Sequence, residues 1–292
     1  MVSPFFARPK TTLGKWRPIV SLKKVNKHIR YVKFKMVTTK DIRMWIREGY
    51  FFTSIDLKDA YFSIPLFKTT WKFIRFVWDD VTYEFLVNMF GLGPSARLFT
   101  KVLASVIRFL RSRFGSLVQG YIDDFIFQAI TEALCTLHTH IALIILHVLG
   151  FEVNFSKSML TPTTKISHLG FNWDSVAMTL SVPEPKIDKI REIASDFLDK
   201  GGCTADAIRS FVGRLESVRP ATPLAPLHYR SLQAMLPRET PWPGRRFLAL
   251  SPKAGTDLEW WLHSFAPNAV APLRRPGFTV DMTTDASTRG PG

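Results

Sequence analysis

The chain has 292 residues, 46% of them hydrophobic and 13% aromatic, which supplies a large buried core and excludes intrinsic disorder as the main state. Its 39 Lys and Arg outweigh 24 Asp and Glu, a formal net charge of +15, and the commonest reason for such a surplus in a soluble chain is a polyanionic partner, usually nucleic acid. Cys135 and Cys203 are the only cysteines and stand far apart, so a disulfide scaffold is excluded and two buried thiols in a reducing compartment are expected.

From the N-terminus, Met1 to Lys10 carries Pro4, Arg8 and Pro9 where the apolar core of a secretion signal would sit. Strands are expected at Trp16 to Leu22, Phe51 to Asp56, Lys72 to Trp78 and Thr82 to Val87, with Asp79 and Asp80 forming a tight turn between the last two. Apolar residues at Phe99, Val102, Leu103, Val106, Leu110 and Phe114 predict a helix over Arg97 to Phe114 with Lys101, Arg108 and Arg111 on its other side. Two more strands, Leu117 to Tyr121 and Phe125 to Ala129, precede a helix over Thr131 to Leu149 that is apolar nearly all round and should be deeply packed. Its greasiest run, Ile141 to Leu149, is broken by His147 and falls far short of the ~20 residues that span a bilayer, so no membrane partner is expected. A further strand is expected at His168 to Trp173.

Beyond about Ser181 the pattern turns helical. Ile187, Ile190, Ala194 and Phe197 define one amphipathic helix, and Ala205, Ile208, Phe211, Val212 and Leu215 another, opened by Thr204 as N-cap after Gly201-Gly202. From Pro220 to Pro276 frequent prolines suggest a connecting segment, in which Asp257 to Phe265 is the clearest helix. Consecutive strands paired by tight turns, without regular strand-helix alternation, predict an α+β fold with antiparallel sheets.

In so basic a chain, carboxylates embedded in apolar runs carry information, because burying an unpaired charge costs several kcal/mol. Asp56 ends one strand, while Asp123 and Asp124 sit between two others. Side chains alternate along a strand, so adjacent carboxylates approach one centre only where the chain turns, which makes Ile122-Asp123-Asp124 a hairpin tip. Read from the residues alone, this pair is either a solvated turn or a cation site. In the second case Mg²⁺ suits it, being a hard ion that prefers oxygen ligands and keeps water and phosphate in its shell.

Resemblance enters at these residues. Tyr121-Ile122-Asp123-Asp124 resembles the Tyr-x-Asp-Asp box of reverse transcriptases, and Ser54 through Leu66 resembles the first metal-binding motif of the same family. Lys15 to Val20 with Leu22 and Asn26 is similar to the fingers strand, and Phe90-Gly91-Leu92 through Phe99-Thr100-Lys101 to the template and nucleotide motif. Leu149-Gly150-Phe151 with Lys157, then His168-Leu169-Gly170-Phe171, resemble the last two boxes. Six boxes thus stand in order over residues 10 to 173. Phe34-Lys35-Met36, Asp257 to Trp261 and Thr284-Asp285-Ala286-Ser287 further resemble retrotransposon polymerases of the tyrosine-recombinase (DIRS-like) type.

The resemblance implies a right-hand polymerase: fingers and palm over 1–175, a helical thumb over 176–230, a connection over 231–277 and, over 278–292, the first strand of a truncated ribonuclease H-like domain. It implies two Mg²⁺ ions, with Mn²⁺ as a substitute, held by Asp56 and Asp123 with Asp124 beside them and the Leu57 carbonyl completing the shell. Lys10 and Arg17 would meet the triphosphate, the main-chain amides of Asp59 and Ala60 would hold its phosphates, and Tyr61 would lie under the sugar and clash with a 2′-hydroxyl. Phe90 would pack on the nucleotide and template, Gly91 would let the backbone approach, and Lys157 would protonate the departing pyrophosphate. A core tyrosine at position 61 and solvated lysines at 10 and 157 are the structural alternatives. Basic faces of the helices over 184–217 would track primer and template phosphates. The sequence departs from the pattern at Ser21, where relatives usually carry Asp, in the order Gly93-Pro94-Ser95-Ala96, and at Asp285, which resembles the first carboxylate of a ribonuclease H domain but stands seven residues before the end of the sequence, so no ribonuclease H activity is expected. The implied activity is RNA-directed DNA synthesis on a template-primer duplex from deoxynucleoside triphosphates in an intracellular protein. The rival is an inactive retroelement remnant that only binds nucleic acid.

Overall fold

The computed structural model describes residues 2–9, 14, 16–238 and 242–274; Lys10 and the expected ribonuclease H-like strand over 278–292, Asp285 included, lie outside the described residues. Three bodies of secondary structure follow in chain order. The first begins with strands β1 (Phe5–Pro9) and β2 (Trp16–Val20), paired antiparallel, and the short helices α1 (Lys23–Asn26) and α2 (Thr39–Trp45). Thr38 and Asp41 close a reciprocal capping box at the start of α2. After strand β3 (Phe51–Asp56) come helix α3 (Lys68–Trp71) and the hairpin β4 (Arg75–Trp78) with β5 (Val81–Glu84). Asp79 and Asp80 turn this hairpin with left-handed backbones, φ 50° and 55°, as a two-residue turn between right-twisted strands requires. Val20, Leu22, Val25, Ile74 and Met89 form the small core that joins the two ribbons.

The second body is the central sheet. Helix α4 (Ser95–Phe114) leads into β6 (Leu117–Tyr121), β7 (Asp124–Ala129), helix α5 (Glu132–Val148) and β8 (Met159–Thr163), and the strand order is β6-β7-β3-β8, all antiparallel. Alternation along the strands sorts the core: Ile55, Val118, Phe125 and Phe127 pack with Phe99, Leu103, Leu110, Ala142 and Leu146 of α4 and α5. Phe52 and Ile126 point to the opposite face, into a core shared with the C-terminal part of the chain.

That third body is built on β9 (Lys165–His168), β10 (Phe171–Asp174) and β11 (Thr179–Ser181), followed by α6 (Glu184–Asp199), β12 (Gly202–Thr204), α7 (Ala205–Val218), α8 (Arg230–Met235), β13 (Phe247–Ala249), α9 (Pro252–His263) and β14 (Val270–Pro272). A second antiparallel sheet runs β14-β11-β10-β9. Thr204 caps α7 as the sequence predicts, its side chain accepting from the Ala207 N–H. One continuous core spans Trp173, Ile190, Phe211, Leu232, Leu258, Trp261 and Phe265, and the Arg191 Nε reaches the Leu262 carbonyl at 3.1 Å.

Two expectations are corrected. The single strand over His168 to Trp173 is a hairpin, because Leu169 and Gly170 adopt left-handed backbones (φ 49° and 75°) that reverse the chain between β9 and β10. Helix α5 is not packed all round: Cys135, His138, Thr139, Ala142 and Leu146 are buried, whereas Leu137, Ile144 and Val148 are exposed. Its buried face meets the sheet through both apolar and polar contacts, the Thr139 hydroxyl pairing with that of Thr53. Both cysteines are free and buried, as expected. Among the described residues no helix is long and apolar enough to cross a membrane.

His168 is 6% exposed and its Nε2 has no hydrogen-bond partner. Burial pushes its pKa down to about 4, so the fold favours the neutral ring. The unfolded chain takes up the proton first, as pH falls through about 6.5, and stability drains until the folded-state value near 4 is passed. Between pH 7 and pH 5 the protein should lose about 2 kcal/mol more stability than its His168→Leu variant, measured by urea unfolding. Parallel loss in the two proteins would show that His168 is not the group responsible.

Candidate active site

The register of the central sheet builds the site. Asp56, the last residue of β3, lies directly opposite Asp124, the first of β7, and Tyr121 of β6 faces Asp124 across the hairpin. The turn is therefore two residues, Ile122-Asp123. Ile122 has φ 54°, an unfavourable backbone for a β-branched side chain, and is held there by packing against the core under α4. The Leu57 N–H donates to the Asp123 carbonyl at 2.9 Å, fastening the end of β3 to the hairpin tip. On the other side the Asn154 N–H donates to the Asp56 carbonyl at 2.8 Å and the Asp56 N–H to the Ser158 hydroxyl at 3.0 Å. Three carboxylates thus share one end of the sheet, each set by main-chain bonds.

Their electrostatics follow from that crowding. Burial first, then the charges of Asp123 and Asp56 and a hydrogen bond with Asp56, push the Asp124 carboxyl up to about 7. Asp123 is raised too, chiefly by burial and against a main-chain hydrogen bond, with Asp56 adding and Lys157 subtracting. Like charges held together at half-buried positions are the condition that a cation relieves, and an all-oxygen donor set suits a hard divalent ion. As the side chains stand, no three His, Cys, Asp or Glu among the described residues form a ready metal cage. The chemistry of the donors nonetheless fits such an ion.

Asp56, Asp124, Lys157, Ser167, His168 and Gly170 line a cleft of about 180 Å³ beside the carboxylates. Its far wall is the β9–β10 hairpin. The Lys186 ammonium of α6 donates to the Gly170 carbonyl at 2.9 Å and lies 5.2 Å from the centre of the Phe171 ring, so the wall is tied to the helical body. Exposed Lys157 follows a turn in which its N–H bonds the Asn154 carbonyl, and its charge reaches both Asp123 and Asp124.

Asp59 is left-handed (φ 49°) and opens a helical turn over Ala60–Ser63 that buries Ala60 and Tyr61. The Tyr61 ring stands edge-on to Phe90 at 4.7 Å and to Phe99 at 5.4 Å. Its hydroxyl is raised by burial and then by the charge of Asp123, which ties this ring electrostatically to the carboxylates. Phe90 remains 53% exposed. Gly91 takes φ 85°, and Asn26 pins its loop from both sides, donating to the Gly91 carbonyl and accepting from the Gly93 N–H, each at 2.8 Å. Arg17 lies in β2 opposite Arg8, and Val20 of the same strand packs with Met89 just ahead of that loop.

The structure therefore brings together Asp56, Leu57, Asp123, Asp124 and Lys157, with Tyr61 and Phe90 adjoining. Sequence reasoning missed Ser158, Asn26 as a loop pin, and Lys186. Only Asn26 lay in a recognisable box; the others act through chain segments far away in sequence.

A strand-end carboxylate paired with a carboxylate hairpin, on an antiparallel sheet backed by two helices, defines a right-hand polymerase palm. Solved structures agree. The foamy viral protease-reverse transcriptase in complex with double-stranded DNA has a TM-score of 0.75 over 93% of this chain and 44% of that one, at 21% identity. Its complex with an RNA/DNA hybrid gives 0.71 over 90% and 33%, at 20% identity. At such identities the likeness is one of fold. The family model for reverse transcriptase (RNA-dependent DNA polymerase) matches residues 8–173, and the chain belongs to that family. Curated relatives include Protein P of duck hepatitis B virus (strain China), 27% identical over 207 residues, and the Gag-Pol polyprotein of avian reticuloendotheliosis virus, 25% identical over 210. These matches cover 66% and 65% of the chain, which spans only 24% and 18% of those relatives.

Asp123→Asn removes one of the like charges acting on Asp124. The titration midpoint of Asp124, read from its ¹³C carboxyl shift without divalent ions, should fall yet stay above the ordinary carboxylate range, since burial is the larger cause. A midpoint that does not move would mean that the two groups do not face each other.

Proposed function

We propose that this chain is the polymerase part of a retroelement reverse transcriptase, adding deoxynucleotides to a primer 3′-hydroxyl on an RNA or DNA template. The observation that carries the reading is the pairing of Asp56 with Asp124, with the Leu57 N–H bonded to the Asp123 carbonyl. Two Mg²⁺ ions, or Mn²⁺ in their place, would activate the attacking hydroxyl and stabilise the leaving pyrophosphate when bound. Asp56 and Asp123 would hold them, with Asp124 and the Leu57 carbonyl completing the oxygen set.

The rest of the chemistry falls to the chain's own groups. The Lys157 ammonium stands near enough to the carboxylates to feel their charge and would give its proton to the departing pyrophosphate. Lys10, Arg17 and the amides of Asp59 and Ala60 would hold the triphosphate, the guanidinium as a fork and the ammonium as a point charge. Tyr61 would exclude a 2′-hydroxyl beneath the sugar. The template-primer duplex would run along the basic faces of α6 and α7, where Lys189, Arg209 and Arg214 are exposed. Solved relatives bound to double-stranded DNA and to an RNA/DNA hybrid support a duplex partner. Phe34-Lys35-Met36 and Asp257 to Trp261 favour an origin in a tyrosine-recombinase retrotransposon.

Primer extension on poly(rA)/oligo(dT) with Mg²⁺ tests the reading. Asp123→Ala should reduce incorporation by roughly a thousandfold or more while duplex binding persists, since the loss of a metal ligand removes charge stabilisation from the reacting phosphate. Equal, negligible incorporation by wild type and variant, with binding intact in both, would leave a nucleic-acid-binding remnant as the correct description.

The edge-on contact of Phe90 with Tyr61 adds a second expectation. Tyr61→Val should raise ribonucleotide use relative to deoxyribonucleotide by roughly tenfold or more, and Phe90→Ala should give a smaller rise in the same direction by freeing the Tyr61 ring. Unaltered sugar selectivity in Tyr61→Val would remove the gate from that residue.

A further inference from the structure

Helix α5 carries an apolar stripe that the fold leaves uncovered. Leu134, Leu137, Ile141, Ile144 and Val148 recur at intervals of three and four, so they stack along one side of the helix, and exposed Ile130 stands just ahead of the Thr131 N-cap. Ile130 is 61% exposed, Leu137 54%, Ile144 63% and Val148 77%. Leu134 is exposed at the margin and Ile141 is half-buried. The buried residues of the helix, Cys135, His138, Thr139, Ala142 and Leu146, lie on a different face, so this stripe is not the edge of the palm core. Scattered exposed apolar residues are ordinary; a heptad-spaced row of them is not.

Charge narrows what can cover it. No Lys or Arg occurs between Arg113 and Lys157 although the chain carries 39, and the only charged residue from Ile130 to Leu149 is Glu132. A nucleic acid finds no cation here. A second molecule with the same +15 charge meets no cation from this helix at close range, so this is a face on which two copies can approach without like-charge repulsion between their helices.

We propose that α5 is a homodimerisation surface, in which two copies pair their helices antiparallel across a two-fold axis. In that register each residue of the helix faces the one that mirrors it: Leu134 meets Ile144 and Leu137 meets Ile141 of the other copy, and Val148 lies toward the apolar approach at Ile130. Every apolar side chain of the row then packs on an apolar partner, and the pattern is complementary to itself, as an isologous interface requires. Six side chains at these exposures offer roughly 600 Å² per copy, so two copies bury about 1,200 Å², the lower bound for a stable specific interface. Association in the micromolar range is the expectation for so small a dry seam. The surface is remote in kind from the carboxylate cleft: no residue of the stripe lines it, and the inference stands whether or not the chain polymerises DNA.

Sedimentation velocity on the 292-residue chain, from about 1 to 100 μM in moderate salt without nucleic acid, reads the equilibrium directly. Wild type should pass from monomer to dimer over this range. Leu134→Glu and Ile144→Lys should each weaken association by about a hundredfold, because the two-fold axis buries the new charge twice. Mixing these two variants should restore a dimer, since Glu at 134 of one copy then meets Lys at 144 of the other. A parallel pairing would set 134 against 134 and give no such rescue. Both substitutions are at exposed positions, and unchanged thermal melting would show that each variant folds. A wild type that stays monomeric to the highest concentration would overturn the proposal. So would a dimer indifferent to both variants, or singles that dissociate but fail to recombine. A monomer that captures another segment of a longer polyprotein on this stripe would likewise identify a different occupant.

Discussion

The register between β3 and β7 is the constraint on which the rest depends. A strand pair alternates its side chains with period two, so a slip of one residue would exchange Ile55, Phe125 and Phe127 with Phe52 and Ile126, turning each apolar set toward the wrong neighbour. Two cores on opposite faces of one sheet therefore fix the pairing more firmly than either could alone. The same pairing brings Asp56 opposite Asp124. Packing energy spent on phenylalanines and isoleucines is what holds three acidic groups together against their mutual repulsion.

The repulsion is local and its remedy is visible in the donor set. Asp124 faces two other carboxylates and, among the described residues, one nearby cation, Lys157. Around this centre the supporting contacts come from uncharged groups: the main-chain N–H groups of Leu57 and Asn154 and the side-chain hydroxyl of Ser158. Such supports are indifferent to protonation, so the scaffold keeps its shape while the charges on it change.

Much of this was legible in the sequence, and for identifiable reasons. The hairpin at Ile122-Asp123 and the turn at Asp79-Asp80 were readable because adjacent acidic residues between apolar strands leave few other conformations. The helices after residue 184 were readable from their three-and-four spacing. What escaped depended on context. His168 to Trp173 alternates apolar residues as a strand does, and the left-handed backbones of Leu169 and Gly170 break it into a hairpin. Strand β1, paired with β2, ends in Arg8 and Pro9 and shows no buried-and-exposed alternation, four of its five residues being exposed. Helix α5 misled in the other direction, because an apolar surface all round says that every face prefers cover without saying which molecule supplies it. In the site, the acidic residues and Tyr61 were singled out from their boxes, whereas Ser158 and Lys186 contribute through tertiary contacts that no local pattern announces.

The bond from Lys186 to the Gly170 carbonyl has a mechanical consequence. A Cβ at position 170 would come within 2.6 Å of the Lys186 nitrogen, so the bare glycine is also the socket into which the lysine fits. A tilt of α6 relative to the sheet that exceeds the reach of the lysine side chain either draws the hairpin tip along or breaks this latch. Motion of the helical body is thereby coupled to the hairpin that walls the cleft beside Asp56 and Asp124, and the left-handed backbone at Gly170 holds the carbonyl to which Lys186 attaches.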